Sequence, residues 1–338
     1  MIDPQGRPVR EMTGVTPEIF ARDIAGGDVP VVMRGLAADW PAVRAAQTSD
    51  RAIADHLLGF AGGRDADVMV APATIGGRFF YSDDMTGFNF ERGVAPIRTL
   101  VEQLLAMAGV AGAPAIYAGA AAAEDHLPGW AAVNRLSLPT PDAVPRVWIG
   151  NASRVSTHYD VSSNVAVVVA GTRRFALFPP DQGPNLYVGP LDLTLAGQPV
   201  SMVDLERPDL DRYPRFAAAR ETMMVTLLEP GDAIFMPSLW WHDVKALGTF
   251  NVLVNYWWGQ KGAASPFPAL IHAILAIRDL PAAERAAVQG WFDHYVFGPD
   301  AADAAAHLPV HARGVLGAPS PERSAMVRGY LTRALERD

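Results

Sequence analysis

The sequence holds one His-x-acid pair, His158-Tyr159-Asp160. On an extended strand, side chains at i and i+2 share a face, so an imidazole and a carboxylate two apart can reach one point. Alone, the pair is a weak signal. Eight histidines and 36 acids in 338 residues give such a pair roughly once by chance, and His–Asp hydrogen bonds are common on surfaces and in cores. Context strengthens it. His242 stands 84 residues further on, at the end of Glu229-Pro-Gly-Asp-Ala-Ile-Phe-Met-Pro-Ser-Leu-Trp-Trp-His242. There a Pro-Gly-Asp turn starts a strand, Pro237 ends it, and His242 begins the next strand. Strands far apart in sequence become neighbours in a barrel, so His242 can join His158 and Asp160. Two imidazoles and one carboxylate on one face of a six-coordinate ion leave positions open, the donor set of non-haem Fe(II) oxygen chemistry.

The elements that must position these residues lie between about 146 and 258. This zone is dense in short β-branched and aromatic runs: Arg146–Ile149, Asn164–Val169, Arg174–Phe178, Met223–Leu228, Ala233–Met236 and Phe250–Tyr256. Ala170-Gly171, Pro179-Pro180, Pro230-Gly-Asp232 and Leu247-Gly248 supply turns between them. Strands with turns at this spacing predict a sandwich or barrel. A Pro-, Asp- and Gly-rich insert, roughly 180–220, is expected to run over the outside. Before the barrel, residues 1–145 read as an α/β segment that packs on it. A helix starts at Thr16-Pro17, a strand covers Val29–Met33, and amphipathic helices fit 51–60 and 96–108. After it, 259–338 returns to helix over 268–279 and 321–335, where apolar stripes such as Leu270, Ile274 and Ile277 would cap the barrel or meet a second copy. The predicted class is mainly β with flanking helices.

Composition bounds the chemistry. The absence of cysteine excludes thiolate metal sites, a cysteine nucleophile and disulfides. The 28 basic and 36 acidic residues give a net charge of −8, which disfavours a broad nucleic-acid surface. The longest uncharged run, Gln103–Ala123, is mostly Gly and Ala and is broken by Pro114, so no membrane span is expected. The segment Met1–Pro8 has no apolar run behind its charges, which leads us to expect a cytoplasmic protein.

The motifs together resemble the cupin-like JmjC-type family, that of the asparaginyl hydroxylase acting on hypoxia-inducible factor and its bacterial relatives. The likeness is carried by Ser156–Asp160, Asn164, Gly171–Gln182, Asn185–Tyr187, Asp209–Phe216, Pro230–Asp232, Pro237–His242 and Val254–Trp257, with Val31–Leu36 and Asp39–Pro41 as the entry segment. It implies a double-stranded β-helix (jelly roll) that holds Fe(II) by His158, Asp160 and His242. 2-Oxoglutarate and O2 would be consumed to hydroxylate a protein or small-molecule substrate, with a homodimer built through the C-terminal helices. Relatives often place a lysine fifteen residues after the first ligand histidine; here that residue is Arg173, which can grip a carboxylate bidentately and stays charged. Arg174 would then alternate outward. Asn164, Asn255 and Tyr117 match polar positions around the cosubstrate. The hydroxyl that the family carries three residues before the first histidine is Val155 here, leaving Ser156 or Thr157 as its substitute.

Val155 and Arg173 also keep a second reading open, a metal-binding cupin that serves as a non-catalytic binding or regulatory module. A third, a cupin enzyme that does not use 2-oxoglutarate, ranks last because such enzymes commonly take three histidines and this chain offers two well placed. The tryptophans 240, 241, 257 and 258 read as core or interface. Tyr81–Phe90 reads either as a surface loop or as part of the site mouth.

Overall fold

A computed structural model describes residues 6–140, 142–259 and 265–336. The chain divides into two compact units, residues 1–259 and 260–338.

Eight strands build the heart of the first unit: β1 (Pro145–Gly150), β2 (Ser153–Tyr159), β3 (Ser163–Ala170), β4 (Arg173–Phe178), β5 (Met224–Leu228), β6 (Ala233–Met236), β7 (Trp241–Ala246) and β8 (Asn251–Trp258). Apart from β4 and β5, which pair with each other in the smaller sheet, consecutive strands alternate between two facing antiparallel sheets, β6-β3-β8-β1 in the larger and β5-β4-β7-β2 in the smaller. This is the double-stranded β-helix expected from the sequence. The tight turn from β3 to β4 needs Gly171, whose φ is +71° and where a Cβ would lie 2.2 Å from Asn251 Oδ1.

Strand Val165–Val169 is apolar at every position because both faces of the larger sheet are covered. Ala166 and Val168 point into the barrel with Phe175, Leu177, Ile234 and Leu253. Val165, Val167 and Val169 point the other way, onto Phe20, Ile53, Leu57, Leu100 and Trp130 of the N-terminal helices. Helices Asp50–Leu58 and Ile97–Met107 form where amphipathic periodicity places them.

The segment before the barrel does more than pack on it. Strands Arg10–Thr13 and Val31–Arg34 extend the larger sheet beyond β6, and Ala115–Ala122, Asp65–Ala71 and Glu91–Pro96 extend it beyond β1. Asp232, in the turn between β5 and β6, ties one of these in: it accepts from Gly35 N at 2.9 Å and pairs with Arg34 Nη1 at 2.6 Å.

The insert between β4 and β5 also departs from expectation. Leu195 and Val200 are buried, and Ser201 N donates to Thr157 O at 2.7 Å. Part of this polar-looking segment thus closes one end of the barrel.

In the second unit, helices Pro266–Ala276 and Pro321–Leu335 form close to where the sequence places them, helix Ala282–Phe292 was not expected, and Ala305 is the one buried residue among 265–336. Among the described residues, no helix is long and apolar enough to cross a membrane.

Candidate active site

One end of the barrel is filled with apolar side chains; the other opens into a cavity of about 220 Å³. His158 on β2 lies directly opposite His242 on β7, and Asp160 follows β2 on the same face as His158. The two imidazole rings have centroids 4.3 Å apart, and His242 Nε2 is 3.8 Å from Asp160 Oδ2. The ligand atoms of all three residues lie within 4.8 Å of one another, and they form the one such cluster among the described residues. Donors about 2.1 Å from a shared ion lie at most about 4.2 Å apart, so the set is close to the spacing that an ion requires.

The backbone fixes which ring atoms face the centre. His158 Nδ1 lies 2.9 Å from Ser156 O, and His242 Nδ1 lies 2.9 Å from Trp240 O. A carbonyl only accepts, so each Nδ1 carries the proton and each Nε2 keeps its lone pair for a metal. Burial, reinforced by neighbouring His158, lowers the pKa of His242 to about 4, so its ring is neutral at physiological pH. Trp257 Nε1 donates to Asp160 Oδ2 at 3.0 Å and orients the carboxylate.

Strand alternation is broken on β2. Two steps along β7, His242 to Val244, correspond to three along β2, His158 to Val155, so the extra residue is a bulge. Val155 consequently faces the cavity, where an unbroken strand would have presented Ser156. The Ser156 hydroxyl instead accepts from Arg78 Nε at 3.2 Å behind the sheet. Thr157 is fully buried but does not line the cavity, and its hydroxyl has no partner among the described residues.

Arg173, Tyr117, Asn164 and Asn255 all line the same cavity as the triad. Arg173 is 3% exposed, and no carboxylate among the described residues pairs with it. Burial lowers its pKa to about 10, which still leaves it a cation at neutral pH. Burial also pushes the Tyr117 phenol well above its ordinary value, with Arg173 pulling the other way, so Tyr117 remains a hydrogen-bond donor. Asn255 Nδ2 donates to Asn164 Oδ1 at 2.9 Å, and Asn255 Oδ1 is buried without a partner. A buried guanidinium with no counter-charge is costly unless an anion joins it. The donor set therefore fits a divalent ion and an organic anion bound side by side.

Arg174 points to the opposite face of the sheet, as alternation predicts, yet it is not simply outward: Glu206 covers it at 2.7 Å. The mouth is walled by Leu195, Ala196, Gln198 and Val200 from the insert and by Met69 and Phe79 from the N-terminal strands. The segment 81–90 supports this wall from behind, with Tyr81 Oη donating to Leu193 O at 2.7 Å. Trp257, read from sequence as core, belongs to the site; its i+2 relation to Asn255 on β8 was the available signal. The insert residues have no periodicity that could have revealed them. His56 lies elsewhere, near Asn134 Nδ2 at 3.4 Å and against Phe60.

Fold and site together define a cupin whose barrel carries a candidate metal site of two histidines and one carboxylate. The model of the cupin-like domain family matches residues 16–264, and the chain belongs to this JmjC-type family. Over 122 residues it is 38% identical to lysine-specific demethylase JMJ31 of Arabidopsis thaliana, covering 36% of this chain and 22% of that one. It is 40% identical over 102 residues to tRNA wybutosine-synthesizing protein 5 of Danio rerio, which covers 30% and 28% of the two chains. It is 36% identical over 114 residues to HSPB1-associated protein 1 of Rattus norvegicus, covering 33% and 23%. The matches thus span less than a third of the length of each of these relatives.

Proposed function

We propose that this protein is an Fe(II)- and 2-oxoglutarate-dependent hydroxylase of a protein or small-molecule substrate. The observation that carries this reading is Arg173, an unpaired buried cation sharing one cavity with His158, Asp160 and His242. Family membership supports the class. Relatives named for lysine demethylation and for tRNA wybutosine synthesis show how far substrates diverge within it. The overlap with them is too short for their substrates to carry over.

In this reading Nε2 of His158, Nε2 of His242 and the Asp160 carboxylate hold the iron. The bound iron and cosubstrate supply the oxidative chemistry, in which 2-oxoglutarate, O2 and a substrate C–H become succinate, CO2 and C–OH. The remaining work falls to the chain. Arg173 would hold the distal carboxylate of 2-oxoglutarate as its counter-charge, and the Tyr117 hydroxyl would donate to the same group. The Asn164–Asn255 pair presents amide groups to the polar part of the cosubstrate. Val155, Phe175, Met236 and Leu253 keep that wall dry, which strengthens the ion pair. Trp257 holds Asp160 in the orientation that the metal needs. We also propose that the exposed apolar residues of the C-terminal helices, Leu275, Tyr330 and Leu335 among them, meet a second copy in a homodimer.

Succinate release from 2-oxoglutarate by purified protein under air, with and without Fe(II), tests the assignment. Iron-dependent succinate that disappears in His158→Ala is the expected result. Calorimetry that finds tight metal binding but no 2-oxoglutarate binding would overturn it and favour the non-catalytic module.

A further inference from the structure

The strands of the smaller sheet carry a second set of charges on the face turned away from the cavity. Each sits beside a cavity residue in sequence: Arg154 beside Val155, Arg174 beside Arg173, Asp243 beside His242. Arg154, Arg174 and Asp243 are all largely buried, with side-chain exposures of 6, 12 and 2%. The sheet supplies more positive than negative charge here, since Lys245 adds a third cation and Asp243 is the sole acid. The insert provides the balance. Asp204 Oδ1 pairs with Arg154 Nη2 at 2.6 Å, Glu206 Oε1 with Arg174 Nη2 at 2.7 Å, and Glu206 Oε2 with Lys245 Nζ at 3.0 Å. Arg78 reaches Asp204 at 3.5 Å from a neighbouring strand. Four residues before Asp204, the same backbone passes Val200 and then the rest of the cavity wall, Gln198, Ala196 and Leu195.

We propose that Asp204 and Glu206 are positioning residues: their ion pairs on the back of the smaller sheet hold the insert so that residues 195–200 close the cavity over the metal triad and Arg173. Neither carboxylate touches the cavity, so both act through the wall they hold. The driving force is the cost of leaving Arg154 and Arg174 buried without counter-charges. The Arg154–Asp204 pair is largely covered, so salt screens it weakly, whereas the pairs of Glu206 are about a third open on the carboxylate side. The hub is also incompletely satisfied, since Arg154 Nε, Arg174 Nε and Asp243 Oδ1 are buried without hydrogen-bond partners. It is therefore a clamp whose shortest pairs come from the two insert carboxylates; the counter-charges that remain when one is lost are more distant, Glu206 at 3.8 Å from Arg154 and Asp243 at 3.5 Å from Arg174.

The functional half of this inference rests on the cosubstrate reading of the cavity; the structural half does not. The test compares the full-length protein with Asp204→Asn, Glu206→Gln and the charge-retaining Glu206→Asp by amide hydrogen exchange over 195–203. Each charge-removing variant speeds exchange there by about tenfold while β3 and β8 keep their protection, and Glu206→Asp restores most of it. In parallel, KM for 2-oxoglutarate rises about three- to tenfold with kcat within twofold, and affinity for Co(II) as a metal probe is unchanged. Unchanged exchange over 195–203 in folded Glu206→Gln overturns the proposal. If Asp204→Asn fails to fold, the more exposed Glu206 decides alone. If wild-type protein binds no 2-oxoglutarate, the hydroxylase reading falls while the exchange result still judges the clamp.

Discussion

Arg173 and Arg174 are consecutive on β4, both are largely buried, and they differ in one respect. Arg174 meets Glu206 at 2.7 Å and Asp243 at 3.5 Å, whereas Arg173 meets no carboxylate among the described residues and faces a cavity. The side of the sheet decides the role. On the back face, charges arrive already paired and bind one part of the chain to another. On the cavity face Arg173 meets no carboxylate among the described residues and shares its cavity with the candidate metal triad. Burial alone would have marked the two residues as alike, and pairing separates them.

The largest effect expected from breaking this contrast is at the triad. Asp160→Ala removes one of three ligands and lowers iron-dependent succinate formation by about 10³-fold or more, while the circular dichroism melt stays near that of wild type. Next come the two arginines, whose substitution by methionine should move stability in opposite directions. Arg173→Met relieves an unpaired buried cation and leaves the metal-free protein as stable or more so, by about 1–3 kcal/mol, yet weakens 2-oxoglutarate binding about 100-fold. Arg174→Met strands the buried Asp243 and takes one of the partners of Glu206, which keeps Lys245; it costs roughly 2–4 kcal/mol in urea unfolding, with cosubstrate binding changed far less. Trp257→Phe keeps the ring and loses the N–H to Asp160; a 10- to 100-fold loss in metal affinity is expected from such a supporting bond.

The smallest effect concerns pH. The folded-state pKa of His242 is depressed, to about 4 against an ordinary 6.5, so the folded state resists protonation more than the unfolded chain does. Its contribution to metal-free stability is therefore full above pH 6.5 and is lost as pH falls from 6.5 through 4, amounting to a few kcal/mol at most. Urea midpoints at pH 7 and pH 5 compared between wild type and His242→Gln measure it; a difference independent of pH would contradict the assignment.

Much of the fold was legible in the sequence. Short apolar runs and Gly/Pro turns located six of the eight barrel strands, because a sheet buried on both faces leaves continuous hydrophobic segments such as Val165–Val169; the strands of His158 and His242 were placed by the histidines themselves. The triad was legible through the His-x-Asp spacing and through the Pro-Gly-Asp turn that brings His242 alongside. Arg173 was reached through family resemblance, and only the structure shows that it is unpaired. Other features escaped for identifiable reasons. A bulge leaves no mark in hydrophobic alternation, so the sequence carries no sign that Val155 faces the cavity while Ser156 and Thr157, the hydroxyls offered in its place, do not line it. The wall residues 195–200 sit in irregular backbone without a period to read. Glu206 and Arg154 are just over fifty residues apart on different elements, and their pairing depends on how the insert folds back.

The most direct test of the central claim is a crystal structure of the protein soaked anaerobically with Fe(II) and 2-oxoglutarate. The account predicts iron bound to Nε2 of both His158 and His242 and to the Asp160 carboxylate, with the distal carboxylate of the cosubstrate on the Arg173 guanidinium. Iron held by other residues, or a cosubstrate whose distal carboxylate lies away from an empty Arg173, would contradict it.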